Sequence, residues 1–153
     1  MTAFRGNYSA KVEDGGRLKI PGPFKKLLDD ANVTQVYITS TDGKSAEIWP
    51  LPEWEKQEGL ISQSPLLGEA LKKYVFNTSY FGHQTELDKQ ARVVLPQLLR
   101  KSAGLDEEVF ILGSMNRLLV INQKKLDSSL EANALTENDN KVLEPLTNPR
   151  VGG

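Results

Sequence analysis

Apolar and polar residues alternate with period two along Phe4–Val12. Phe4, Gly6, Tyr8, Ala10 and Val12 fall on one side, and Arg5, Asn7, Ser9 and Lys11 on the other. That pattern predicts a half-buried β-strand. Arg17-Leu18-Lys19-Ile20 alternates again, with Leu18 and Ile20 inward and Arg17 and Lys19 outward. Between them Gly15-Gly16 tolerates positive φ, so a turn joins the two strands. Pro21 ends the second strand, and Pro23 suits the first turn of a short helix reaching Asp30. Val33–Thr39 and Lys44–Trp49 then predict a hairpin around Asp42-Gly43, a favoured turn dipeptide.

The same plan recurs about 75 residues later. Glu13-Asp14-Gly15-Gly16-Arg17-Leu18-Lys19-Ile20-Pro21 parallels Asp88-Lys89-Gln90-Ala91-Arg92-Val93-Val94-Leu95-Pro96, and Phe24-Lys25 parallels Leu99-Arg100. Gln35–Thr39 parallels Glu108–Leu112, and Ala46–Trp49 parallels Leu118–Ile121. In the second copy Gln97–Ala103 reads as a helix stopped by Gly104, and Val109–Leu112 and Arg117–Ile121 flank a turn at Ser114-Met115-Asn116. A lone unit of roughly 50 residues buries too little apolar surface for comfortable stability, and two copies packed together remove that difficulty. The chain therefore divides into a first unit over 4–50, a helical connector over 51–78, a second unit over 79–126 and a tail over 127–153. The fold class is α+β, mainly β.

The connector predicts helices over Glu53–Ser62 and Pro65–Asn77, with Ser64 as N-cap and Pro65 at the first helical position. Trp49, Leu51 and Trp54 read as core or subunit contacts. His83 falls at an inward strand position. In the tail the apolar pattern thins, leaving one short helix around Asp139–Leu146 and a disordered end at Val151-Gly152-Gly153.

Charge changes this picture. The 153 residues carry a formal net charge of −1, which excludes binding of nucleic acid by bulk charge. The distribution is uneven: Phe4–Lys26 holds six basic and two acidic residues, a net of +4, whereas the tail over 127–153 holds five acidic and two basic ones, a net of −3. Outward positions Arg5, Lys11, Arg17 and Lys19 gather the positive charge on one face. The counterparts of Lys11 and Lys19 in the second copy are Glu86 and Val94, so that face belongs mostly to the first copy. Acid-before-turn and Arg-after-turn predict two neighbouring pairs, Glu13 with Arg17 and Asp88 with Arg92. Each is either a structural ion pair that pins its turn or an Arg held ready for an anionic partner.

Catalytic chemistry is poorly provided for. There is no cysteine and one histidine, so disulfides, thiolate metal sites and a Cys nucleophile are excluded and little scope remains for His-based metal binding. Dinucleotide, Walker, metalloprotease and nucleophile-elbow motifs are missing. The expectation is a non-enzyme with no cofactor, no metal and no small-molecule substrate. The apolar runs are too short for a membrane span, and the N-terminus lacks the apolar core of a signal peptide. This reads as a soluble cytoplasmic chain without membrane partners.

The ordered motifs resemble those of the MraZ family, whose tandem units are of the AbrB/SpoVT swapped-hairpin type. The resemblance rests on Phe4-Arg5-Gly6, Gly16–Pro21, Trp49-Pro50-Leu51-Pro52-Glu53-Trp54-Glu55, Gly82-His83, Glu86–Arg92, and Ala103-Gly104-Leu105 followed by Glu108-Val109. The family's DxxxR pattern is intact from Asp88 to Arg92 and carries Glu13 at the acidic position of the first unit. Ala91 stands where the family has Gly before the Arg, which predicts a turn less strained or differently shaped. Asn122 ends the last strand without the tryptophan often found there. The resemblance implies a double-ψ-like swapped-hairpin barrel built from both halves of the chain. It also implies a bacterial DNA-binding transcriptional regulator, nucleoid-associated, that recognises short direct repeats in the promoter of the division and cell-wall gene cluster, often as a repressor. Members assemble into rings, commonly octamers. By position, Arg17 is the foremost DNA contact, with Arg5, Lys11 and Lys19 near it and Arg92 its counterpart in copy two. The alternative is an oligomeric protein-interaction module of the antitoxin kind, without sequence-specific DNA binding.

Overall fold

A computed structural model describes residues 3–64 and 68–148. The chain forms two compact units, the first running to Gln123 and the second starting at Lys124. The expected cap at Ser64-Pro65 and the expected disordered end at 151–153 involve positions outside the described residues.

In the first unit eight strands form one sheet in the order β5-β3-β4-β8-β7-β1-β2-β6. They are β1 Asn7–Glu13, β2 Arg17–Lys19, β3 Gln35–Thr39, β4 Ala46–Pro50, β5 His83–Glu86, β6 Arg92–Val94, β7 Glu108–Ser114 and β8 Arg117–Asn122. All pairings are antiparallel. The end strands β5 and β6 follow one another in sequence, and the turn between them is closed by Asp88 N–H donating to the Arg92 carbonyl (2.9 Å). The sheet is thus a nearly closed barrel, the swapped-hairpin barrel expected.

Its pairing follows the repeat. Strand β1 of copy one lies against β7 of copy two, and β5 of copy two lies against β3 of copy one. β2 pairs with β6, and β4 with β8. Exchanging the copies maps this set of pairs onto itself, a pseudo-two-fold arrangement in which neither copy has a sheet of its own. The core is one cluster drawn from both, with Leu18, Ile20, Phe24 and Ile38 packed with Val93, Leu95, Leu99 and Ile111.

The helices cover this barrel. α1 (Gly22–Asp30) buries Phe24 and Leu28, and Phe24 meets Phe4 and Tyr8 edge-on at 5.6 and 5.1 Å between ring centres. α4 (Gln97–Ala103) ends at Gly104 in the left-handed conformation, as expected. α2 (Leu51–Ser62) packs Trp54 on Tyr37 and Trp49, with ring centres 4.6 and 5.1 Å apart; both tryptophans are core. α3 (Gly68–Tyr80) is fixed to β3 through the Thr78 carbonyl, which accepts from Tyr37 Oη (2.8 Å) and Thr39 Oγ1 (2.7 Å). Beside α2, Glu47 accepts from Trp49 Nε1 (3.0 Å) and pairs with Arg117 Nε (3.0 Å), whose guanidinium lies 4.6 Å over the Trp49 ring.

Three expectations are corrected. The first strand starts at Asn7 rather than Phe4, because Gly6 turns the chain at φ +95° and sends Phe4 into a separate bridge with Met115. His83 is exposed, although it lies opposite buried Ile38. It is the first residue of a marginal strand, so nothing closes over it. The second unit is more helical than its thin apolar pattern suggests, with α5 (Leu126–Ala132), α6 (Glu137–Val142) and α7 (Glu144–Thr147). α6 starts at a reciprocal Thr136–Asp139 capping box, a local device independent of an apolar face.

Candidate nucleic-acid interface

The positive face is built on the ribbon of β1, β2 and β6. Gly15 and Gly16 turn the chain at φ +80° and +83°. Arg100 packs beneath that turn, its Nε donating to the Leu95 carbonyl (3.1 Å), and a Cβ on Gly16 would lie 2.5 Å from that same Nε. Sequence reasoning aligned Arg100 with Lys25 but missed this supporting role. Beyond the turn Val12, Leu18 and Val93 lie side by side and are buried. Alternation then sends Lys11, Glu13, Arg17, Lys19, Arg92 and Val94 to the opposite, outer face. Arg17 lies between Glu13 and Val94, and Lys19 lies opposite Arg92.

The four cations of this face differ in their partners. Arg92 is held by Asp88, Nε to Oδ2 at 2.9 Å, and by Glu13 at 3.8 Å. Asp88 also accepts from the backbone N–H groups of Gln90 (2.8 Å) and Arg92 (2.9 Å). These donors, the Arg92 N–H foremost, hold the Asp88 carboxyl below its ordinary value of 3.8. The DxxxR spacing thus makes the pinned turn expected for Asp88–Arg92. Glu13 is the cross-strand neighbour of Arg17, as expected, but the ion-pair reading is corrected, because its ion pair is with Arg92. The long glutamate arm reaches past β2, and Arg17 Nη1 donates instead to the Asp14 carbonyl (3.2 Å).

Arg17, Lys19 and Lys11 are exposed, and among the described residues none has an ion pair within 4.0 Å; Lys11 lies opposite Glu108 across the strands. Arg5 is not brought to this group. It follows Phe4, which bridges Met115 at the tip of the β7–β8 hairpin, whereas Arg17 sits by the far end of β1. Ala91 also departs from expectation. It adopts φ +62°, the left-handed conformation of the glycine it replaces. Its hydrogen bonds, Ala91 N–H to the Asp88 carbonyl (3.1 Å) and Ile20 N–H to the Ala91 carbonyl (2.8 Å), hold the backbone there.

Chemically the face can grip an anion and discriminate its shape. A guanidinium without a carboxylate partner, as Arg17 has among the described residues, offers a planar fork of donors, and the neighbouring ammonium groups offer unspecific charge. Among the described residues no group of three or more His, Cys, Asp or Glu could hold a metal ion, and no helix is long and apolar enough to cross a membrane.

Comparison with known proteins places this geometry. The family described as "MraZ protein, putative antitoxin-like" matches residues 82–141. A transcriptional regulator MraZ of Acidobacterium capsulatum is 42% identical over 140 residues, spanning 92% of this chain and 96% of that protein. Another, of Koribacter versatilis, is 37% identical over 94% of this chain and 98% of its own length. A third, of Thermus thermophilus, is 31% identical over 82% of this chain and 86% of its own. With two such relatives matched over nearly their full length and the swapped-hairpin barrel in place, the chain belongs to the MraZ family of transcriptional regulators, which are not enzymes.

Proposed function

We propose that the chain regulates transcription by laying the β2–β6 ribbon in the major groove of promoter DNA, with Arg17 addressing a guanine edge and Lys19 and Lys11 the phosphates. The observation that carries this reading is the pairing of an exposed Arg17 and Lys19, free of ion pairs among the described residues, on one outward ribbon face. A two-stranded ribbon fits the major groove, and an Arg fork matches guanine O6 and N7. Arg92, balanced by two carboxylates, holds the ribbon's shape and adds little charge. Arg5 contacts DNA only from a separate part of the surface.

One such face is too small for tight binding. Ring assembly, commonly of eight copies, sets several faces against successive short direct repeats, and each bound face raises the effective concentration of the next. Exposed Leu60, Phe76 and Tyr80 on α2 and α3 support an assembling surface. The target is the repeat array upstream of the division and cell-wall gene cluster. Occupying it represses, and the protein is cytoplasmic and nucleoid-associated.

Arg17→Ala, titrated against the DNA upstream of the chain's own gene, tests this. Binding weakens at least about fivefold, the low end of the 1–3 kcal/mol carried by a bidentate base contact, while the assembled mass stays unchanged. Wild-type affinity falls steeply with salt as counterions are released. Undiminished binding by the variant, or salt-independent binding, overturns the reading. The same apolar α2–α3 surface favours a second reading, an antitoxin-like protein-interaction module; there Arg17→Ala is silent and a protein partner is lost on substituting Phe76.

A further inference from the structure

The outer face of the β2–β6 ribbon contains one residue that charge does not explain. Val94 is 45% exposed among cations, and its cross-strand partner is Arg17. Single exposed apolar side chains are common on protein surfaces. This one is distinguished by its place. The pseudo-two-fold axis between the copies relates Arg17 to Arg92 and Lys19 to Val94. It therefore relates the Lys19–Arg92 cross-strand pair to the Arg17–Val94 pair. The two halves of the ribbon share a backbone and differ in chemistry. In one half Arg92 is bound to Asp88 and Glu13, with an ammonium at its side. In the other an Arg without an ion pair among the described residues stands beside two valine methyl groups.

We infer that Val94 is a specificity-determining residue that reads the 5-methyl group of thymine beside the base pair addressed by Arg17. The inference rests on the DNA-reading role given above to this ribbon. The major groove presents the thymine methyl as its one apolar feature, and an aliphatic side chain is the chemistry that recognises it. Directly opposed residues of an antiparallel pair have Cβ atoms roughly 4.5–5.5 Å apart, between one and two steps of the roughly 3.4 Å spacing of successive bases along a strand. Arg17 and Val94 are thus placed to address neighbouring base pairs, a guanine and a thymine. Lys19, with no apolar group beside it, contributes phosphate contact, and Arg92, held by its two carboxylates, keeps the register. The ribbon is asymmetric in what it reads, so it imposes a direction on each site, as a direct repeat requires.

Uracil differs from thymine at this edge only by that methyl, which makes the test direct. The duplex upstream of the chain's own gene is amplified once with thymidine triphosphate and once with deoxyuridine triphosphate, beside a scrambled duplex of equal length. The full chain binds the uracil form about fourfold more weakly per methyl contacted, the equivalent of the ~0.8 kcal/mol carried by one buried carbon of this kind. Val94→Ser binds the thymine form more weakly and no longer distinguishes the two. Val94→Lys, which restores the residue of the symmetry-related position, also loses the distinction, yet binds the scrambled duplex more tightly at low salt. Equal sensitivity to uracil in wild type and both variants, or none in wild type with sequence preference intact, overturns the role of Val94 alone. Failure of wild type to prefer the upstream duplex over the scrambled one overturns the DNA-reading role itself.

Discussion

Ala91 occupies a conformation that disfavours side chains. At φ +62° its Cβ crowds the following carbonyl, a cost of about 1–2 kcal/mol for an L-residue. Ala91→Gly removes that cost and gives back about 0.4–1 kcal/mol through the freer unfolded chain. A net gain of about 0.5–1 kcal/mol is expected, raising the melting temperature by roughly 1–4 °C in a chain of this size. A lower melting temperature would mean that packing around this buried methyl outweighs backbone strain. Three residues earlier, Asp88 makes the same turn sensitive to acid. Its carboxyl titrates below the ordinary 3.8 because the folded chain donates hydrogen bonds to it, first from the Arg92 N–H. A depressed folded value stabilises above the unfolded value and is lost as pH falls through the folded one. The stability gap between wild type and Asp88→Asn is therefore constant near neutrality and narrows only below about pH 4, the unfolded carboxylate range; pH-dependent urea melts read it. A gap that persists into stronger acid would assign the turn's stability to shape instead of charge. The spacing of Asp88 and Arg92 was legible in the sequence, because a tight turn leaves little choice of neighbour. The destination of Glu13 was not, since it depends on β6 arriving from the other copy.

Among the described glycines, Gly82 at the junction of α3 and β5 has the least room. A Cβ on Gly82 would lie 1.7 Å from Tyr37 Oη and 2.5 Å from the Thr78 carbonyl. Both groups are committed to the hydrogen bond that ties α3 to β3. Gly82→Ala must break that bond or move the helix, so it costs at least the 1–3 kcal/mol typical of overpacking. The urea midpoint shifts down while Gly59→Ala, in open space on α2, does not lower it. Equal midpoints would show that α3 shifts without cost. Elements fixed by local chemistry were legible beforehand: the Arg17–Ile20 alternation, the Asp42-Gly43 hairpin and the helix ending at Gly104. Those set by distant partners were not. The start of β1 depends on Phe4 meeting Met115 of the other copy beyond the turn at Gly6, and the exposure of His83 depends on β5 being a sheet margin.

For the whole molecule, the repeat announced two copies and the resemblance announced that they interlock; the structure shows how completely they do so. Four of the seven strand pairings join one copy to the other: β1–β7, β2–β6, β3–β5 and β4–β8. A fragment of residues 1–64 keeps only the β1–β2 and β3–β4 hairpins, and an isolated hairpin is marginal at best in water. Its share of the core, including Leu18, Phe24 and Ile38, loses the facing Val93, Leu99 and Ile111. Neither 1–64 nor 68–153 should then exist as a folded monomer. The pseudo-two-fold pairing leaves each fragment one alternative, pairing with a second copy of itself in place of the missing half. Mixed in equal amounts, the fragments should instead recover the native complex, because only the mixture matches Arg92 with Glu13 and Leu18 with Val93. Sedimentation combined with circular dichroism separates these states by mass and by strand content. A folded monomer of 1–64 would show that the first copy holds its hairpins unaided, and the barrel would then be two docked domains in place of one interlocked sheet.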